Sequence, residues 1–241
     1  MFSRSLKKHF WKEKKIKMIK FIPYEVLTGA ENMQKDNDLL NFAIQSQIDY
    51  PIFRLYGWKP ACVSLGRNQS EDFVDKEFLK SCGIDIVRRL TGGRALLHDD
   101  EITYSCVFPV NFLKHGENVT KSYIEISQIL INGFKKLGIE LDFGGSKPVN
   151  TKHDYCMLIS TGADLCYQGK KLIGSAQCRK NGYILQHGSI LYDYDKELLE
   201  KIFKEPADDT SITSIKAIRP DLSRKNIISV FENVDNFIAQ Y

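Results

Sequence analysis

Arg88–Ser105 reads RRLTGGRALLHDDEITYS, and the rest of the chain can be read outward from it. Immediately upstream, Ile84-Asp85-Ile86-Val87 is β-branched and apolar, the pattern of a buried strand, and it delivers Arg88 and Arg89 to the strand end. Thr91-Gly92-Gly93 then predicts a turn, because glycine reaches positive φ without a Cβ clash. Arg94, the apolar Ala95-Leu96-Leu97, His98 and the acidic Asp99-Asp100-Glu101 follow. Ile102–Phe108 alternates and predicts a second strand. Two strands joined by a glycine turn between arginines would make a pocket wall of backbone with positive charge at its rim. On spacing alone, a structural hairpin with solvated arginines fits equally well.

The chain has 241 residues, 43% of them hydrophobic, a size and composition suited to one α/β domain. No run approaches the roughly 20 apolar residues of a membrane helix, so no membrane is expected. Six cysteines, Cys62, Cys82, Cys106, Cys156, Cys166 and Cys178, form no CxxC pair, which predicts reduced thiols and a cytoplasmic protein. The five histidines show no metal-ligand spacing, and no metal is expected. The formal charge is +4, from 34 Lys and Arg against 30 Asp and Glu. Eight of those bases and one acid fall in residues 1–20, which leaves a mildly acidic body of 26 bases and 29 acids. The positive excess is therefore a feature of the tail, not a nucleic-acid surface. Residues 1–18 read as a basic extension: a solvated arm, an extension from an upstream start codon, or a targeting peptide. Residues 19–241 read as the domain.

Periodicity places the remaining elements. Strands are predicted at Ile19–Tyr24, Pro51–Gly57, Ala61–Leu65 and Ile139–Phe143. Thr28 and Glu31 have capping-box spacing and predict a helix to about Gln47, its apolar face interrupted by Lys35–Asp38. Further helices are predicted over Asp72–Cys82, closed by Gly83, over Thr120–Leu137, closed by Gly138, over Lys196–Phe203 and near Asn226–Ala239. Gly144–Tyr155 reads as a polar loop. Ala163–Tyr167, Lys171–Arg179 and Tyr183–Tyr192 read as a meander with turns at Gln168-Gly169-Lys170 and Lys180-Asn181-Gly182.

The Arg88–Ser105 segment resembles the RRxTGGRAVLHDxELTYS-like segment of the lipoate/octanoate branch of the biotin/lipoate protein ligase superfamily, with Leu96 and Ile102 as mild departures. Gly29-Ala30-Glu31-Asn32-Met33, Leu55-Tyr56-Gly57-Trp58, Ser64-Leu65-Gly66 and Lys170–Ile190 extend the resemblance over roughly Ile19 to Phe203. It implies an α/β (α+β) fold in which helices flank a mixed, largely antiparallel sheet. The ATP-dependent ligases more often carry three glycines where this chain has Gly92-Gly93-Arg94, so Arg94 points to the octanoyltransferases that work through a cysteine.

By this resemblance Cys156 is the acyl acceptor and Lys171 the motif lysine beside it. The chemistry suits the pair. An adjacent ammonium can lower a thiol pKa from ~8.5 to ~3.5–7.5, and losing one donor to a developing oxyanion typically costs about 3–4 kcal/mol. The family's FDxPS-like run after the cysteine is replaced here by Met157-Leu158-Ile159-Ser160-Thr161. Cys156 therefore matches in position but not in context, and a plain loop thiol remains the alternative. Cys166 and Cys106 read as packed core residues. The substrate pocket implied by the resemblance comprises Arg89, Thr91, Gly92, Gly93, Arg94, Ala95 and His98 from the glycine segment. Gly174, Ser175, Ala176, His187 and Gly188 from the meander complete it.

The resemblance implies octanoyl transfer from acyl carrier protein to a lipoyl-domain protein, such as glycine cleavage H protein or a 2-oxoacid dehydrogenase E2 subunit, without a cofactor. An ATP- and Mg-dependent lipoate ligase acting through lipoyl-adenylate is the alternative, and Asp164-Leu165 resembles the Asn-Asp-Leu of those ligases. A non-catalytic acyl-binding protein is a third reading.

Overall fold

The computed structural model describes residues 18–145, 155–158, 164–204, 206 and 210–237. The expectations for the basic extension, and for most of the polar loop ending at Tyr155, lie outside these residues. The two strands expected to form one hairpin part company. Asp85–Arg88 (β4) and Glu101–Pro109 (β6) belong to different sheets. Between them Leu96–His98 makes a further strand, β5, all three residues of it buried. β4 runs parallel to one side of Cys62–Leu65 (β3) and β5 antiparallel to the other, giving the order β4-β3-β5. β4 is an edge strand, part exposed, rather than the buried strand its composition predicts. The glycine segment therefore crosses the end of β3, pinned by Arg89 N–H to Leu65 O (2.9 Å) and Arg67 N–H to Thr91 O (2.8 Å).

The larger sheet has seven strands. They are Lys20–Leu27 (β1), Ile52–Trp58 (β2), β6, Asp142–Phe143 (β7), Leu165–Tyr167 (β8), Lys170–Lys180 (β9) and Tyr183–Leu191 (β10), ordered β1-β2-β6-β10-β9-β8-β7. β1 pairs with β2 in parallel and every other neighbour is antiparallel, so the sheet is mixed and largely antiparallel. Both meander turns place two successive residues at positive φ: Gln168 (49°) and Gly169 (79°), then Asn181 (48°) and Gly182 (80°). Such turns match the right-handed twist of the strands they join.

Gly29–Ser46 (α1) starts at the Thr28–Glu31 capping box. Lys76–Ser81 (α2) is shorter than predicted because Asp75, not Asp72, caps its first turn. Val119–Lys136 (α3) and Lys196–Phe203 (α4) follow the prediction. Ile215–Ile218 (α5) was not foreseen, and the single C-terminal helix is divided into Arg224–Phe231 (α6) and a 3-10 turn at Val234–Phe237. Strand alternation gives the large sheet two different faces. Phe53 and Tyr104 point to one, where they stack on each other, Phe53 stacks on Phe231 of α6, and Phe231 meets Phe134 of α3 at a tilt. The opposite face presents Arg54, Tyr56 and Trp58, covered by α1 and the small sheet.

Candidate active site

Lys171 opens β9 where the strand departs from regular register, between its pairing with Cys166 and that of Ile173 with Leu165. Its backbone is held on the far side by Ser211 and Thr213. The side chain is 1% exposed. Its ammonium lies 3.0 Å from Asp164 Oδ2, 2.9 Å from the Cys156 carbonyl and 3.9 Å from Cys156 Sγ. Asp164 also accepts from Ser175 N–H (3.4 Å). Cys156, half-buried, is tied to the glycine segment by its own N–H on Ala95 O (2.8 Å). The structure thus brings together the sulfhydryl and the ammonium that the sequence places fifteen positions apart.

Room for a lysine to fold back comes from Gly174. A Cβ there would stand 3.1 Å from Lys171 Cε and 2.9 Å from Met157 Sδ. Gly188 is equally constrained: its Cβ would stand 2.4 Å from the Gly174 carbonyl. Cys156 opens onto a cavity floored by Gly174, Ser175, Ala176, His187, Gly188 and Ser189, and walled by Gly93, Arg94, Leu96, His98 and Trp58.

Two buried networks shape the walls. In the first, Arg89 donates to Ser64 O (2.6 Å) and Ser64 Oγ (2.8 Å), and to the carbonyls of Gly92 (3.2 Å) and Arg94 (2.9 Å). Arginine only donates. His98 Nδ1 faces Glu101 Oε1 (3.3 Å), and a neutral ring that donates from Nδ1 to this carboxylate accepts the Ser64 proton at Nε2 (2.6 Å). Burial holds the His98 pKa below its ordinary value, against the pull of Glu101. The ring stacks on Trp58 at 4.0 Å. In the second network His187 bridges Thr91 Oγ1 (2.7 Å) and Asp36 Oδ2 (3.0 Å), while Arg54 and Tyr56 close on Asp36 at 3.1 Å each. Burial opposes the Asp36 charge, but the His187 hydrogen bond and the attraction of His187 and Arg54 outweigh it, so the pKa is lowered.

Of the residues the resemblance assigned to the pocket, Arg89, Gly93, Arg94, His98, Gly174, Ser175, Ala176, His187 and Gly188 line the cavity. Thr91, Gly92 and Ala95 lie behind it: Thr91 is held by His187, and the Gly92 and Ala95 carbonyls anchor Arg89 and Cys156. Arg89 is fully engaged with the protein, whereas the Arg94 side chain lines the cavity with no hydrogen bond or ion pair among the described residues. Cys106 and Cys166 are packed, 1% and 3% exposed. Asp36 was missed, and its only sequence mark is an acid inside the apolar face of α1. No group of three or more His, Cys, Asp and Glu is placed to hold a metal among the described residues, and no described helix is long and apolar enough to cross a membrane.

Residues 28–234 match the model of the lipoyl protein ligase A/B catalytic domain. The chain belongs to that family. Within it, the chain is 40% identical over 195 residues to octanoyltransferase LipM of Geobacillus kaustophilus, covering 78% of this chain and 70% of that protein. It is 42% identical over 191 residues to octanoyltransferase LipM of Staphylococcus epidermidis, covering 73% and 68%. The fold is that of a putative lipoate protein ligase from T. acidophilum with bound lipoic acid, at a TM-score of 0.71 and 21% identity over 89% of this chain and 84% of that one.

Proposed function

We propose that this enzyme moves an octanoyl group from acyl carrier protein to the lysine of a lipoyl-domain protein, in lipoate biosynthesis, and holds it in between as a thioester on Cys156. The observation that carries the reading is the Cys156 sulfur, 3.9 Å from the Lys171 ammonium, at the edge of the cavity. Two octanoyltransferases about 40% identical over most of the chain support the acyl group and the reaction class.

In the first half-reaction the Cys156 thiolate attacks the carbonyl carbon of the donor thioester. The C=O electron pair moves onto oxygen, and Lys171 offsets the resulting charge. Collapse breaks the bond to the carrier's sulfur, which leaves as a thiolate and takes up a proton. In the second, the neutral amine of the acceptor lysine attacks the octanoyl-Cys156 carbonyl. A C–N bond forms, the C–S bond breaks, and the amine proton passes to the departing Cys156 thiolate. The acceptor would be glycine cleavage H protein or a 2-oxoacid dehydrogenase E2 subunit. No nucleotide or metal enters either step.

Incubation with octanoyl-carrier protein, without ATP or Mg, is expected to give an octanoyl adduct on Cys156 that hydroxylamine removes, and Cys156→Ala to reduce transfer to background. Transfer that survives Cys156→Ala would remove this mechanism. Lys171→Ala is expected to lower kcat on the order of 10²–10³-fold, the usual effect of losing one oxyanion donor.

A further inference from the structure

Four buried side-chain oxygens have no hydrogen-bond partner among the described residues: Glu101 Oε2, Ser105 Oγ, Ser127 Oγ and Ser189 Oγ. A buried hydroxyl normally has a partner. Of these four residues only Ser189 lines the cavity shared with Cys156. It is 0% exposed, so bulk water does not satisfy it. Its position in the sheet says what it faces. Ser189 pairs with Gly174 of β9 on one side and Thr103 of β6 on the other. Directly paired residues on one sheet face have Cβ positions about 4.5–5.5 Å apart. The Cβ position of Gly174 is 3.4 Å from Lys171 Nζ. Ser189 therefore stands across an empty side-chain position from the ammonium, on the face that carries the cavity. Thr103, by contrast, is occupied: it accepts from Trp58 Nε1 at 2.8 Å and donates to Glu101 at 2.5 Å.

We infer that Ser189 is a catalytic residue whose hydroxyl donates to the carbonyl oxygen of the bound acyl thioester, opposite Lys171. This rests on the thioester reading above and adds a second donor to it. When the thiolate adds, the C=O pair moves onto oxygen, and that oxygen is met by Ser189 O–H and Lys171 N–H. When the tetrahedral species collapses the pair returns, and Ser189 keeps its proton throughout. The absence of a protein partner then has a function: the hydroxyl is left open for an oxygen that arrives with substrate. Gly174 keeps the approach free of a side chain.

The test uses the full-length enzyme, octanoyl-carrier protein labelled with ¹³C at the thioester carbonyl, and infrared difference spectra of the trapped acyl-enzyme. Ser189→Ala is expected to lower kcat on the order of 10²-fold, with KM and Tm near wild type, and to shift the ¹³C=O band of octanoyl-Cys156 to higher wavenumber. Ser189→Thr, which retains the hydroxyl, is expected to restore both. Adduct formation with an unchanged band and unchanged kcat in Ser189→Ala would overturn the role of Ser189 alone. So would a loss confined to Tm. Failure of the wild-type enzyme to form any Cys156 adduct would instead overturn the thioester reading, and this role with it.

Discussion

His98 shows how one side chain couples the site to stability. It lies 3% exposed between Ser64, Glu101 and the Trp58 ring, with Arg89 on the same serine, and burial depresses its pKa. In the unfolded chain its pKa returns to about 6.5. As pH falls below that value the unfolded state takes up a proton that the folded state refuses, so stability declines toward acid and is complete above it. Urea unfolding between pH 7.5 and 5 is expected to show a decline in stability toward acid that His98→Gln lacks. At this scale the sequence was informative about placement: the approach of Cys156 to Lys171, and the position of most of the glycine segment at the cavity, agree with what the resemblance implies. Asp36 was not legible. Its partners Arg54 and His187 lie 18 and 151 positions away, and no helical pattern announces an acid that the fold will satisfy from so far off. The positions of Thr91, Gly92 and Ala95 behind the wall were equally hidden, because composition does not say which side of a loop faces a cavity.

At the level of elements, the meander and its turns were legible because Gln-Gly and Asn-Gly punctuate alternating runs at hairpin spacing. The hairpin across the glycine segment failed for a physical reason. Leu96-Leu97-His98 is too short to read as a strand, yet three residues suffice once β3 offers an edge. The contact that locks this arrangement is Gly66 against the glycine loop: a Cβ at residue 66 would stand 1.9 Å from the Gly93 carbonyl. Backbone cannot swing aside as a side-chain tip can. Gly66→Ala is therefore expected to displace the loop, destabilise the fold by about 1–3 kcal/mol in denaturant titration, and reduce acyl-adduct formation at Cys156. The split C-terminal helix was illegible because its second half is held by long-range contact, with Asn132 of α3 donating to the Phe237 carbonyl at 3.0 Å.

For the whole molecule, the decisive division is between the two faces of the large sheet. One is sealed by α3 and α6 through aromatic stacking, the other carries polar networks and the cavity. Phe231, 0% exposed, joins Phe53, Phe134 and Phe237 across the sealed face. Phe231→Ala is expected to lower stability by about 3–5 kcal/mol, read as a fall in Tm. A fully folded fraction isolated at low temperature should keep its ability to take an acyl group at Cys156, since that face is untouched. The sheet order was not legible in the sequence, because strand pairing between β6 and β10 joins residues about eighty positions apart; the resemblance implied only a mixed, largely antiparallel sheet flanked by helices.

The ion pair between Lys171 and Asp164, at 3.0 Å, bears on a hazard built into this chemistry. A thioester beside a primary amine is the starting point for S-to-N migration, which would end in a dead, self-modified protein. Nitrogen engaged by a carboxylate as an ammonium has no lone pair with which to attack. Asp164→Asn is accordingly expected to convert turnover into progressive suicide: hydroxylamine-resistant octanoate accumulating on Lys171, visible by peptide mass mapping, while the native enzyme stays clean.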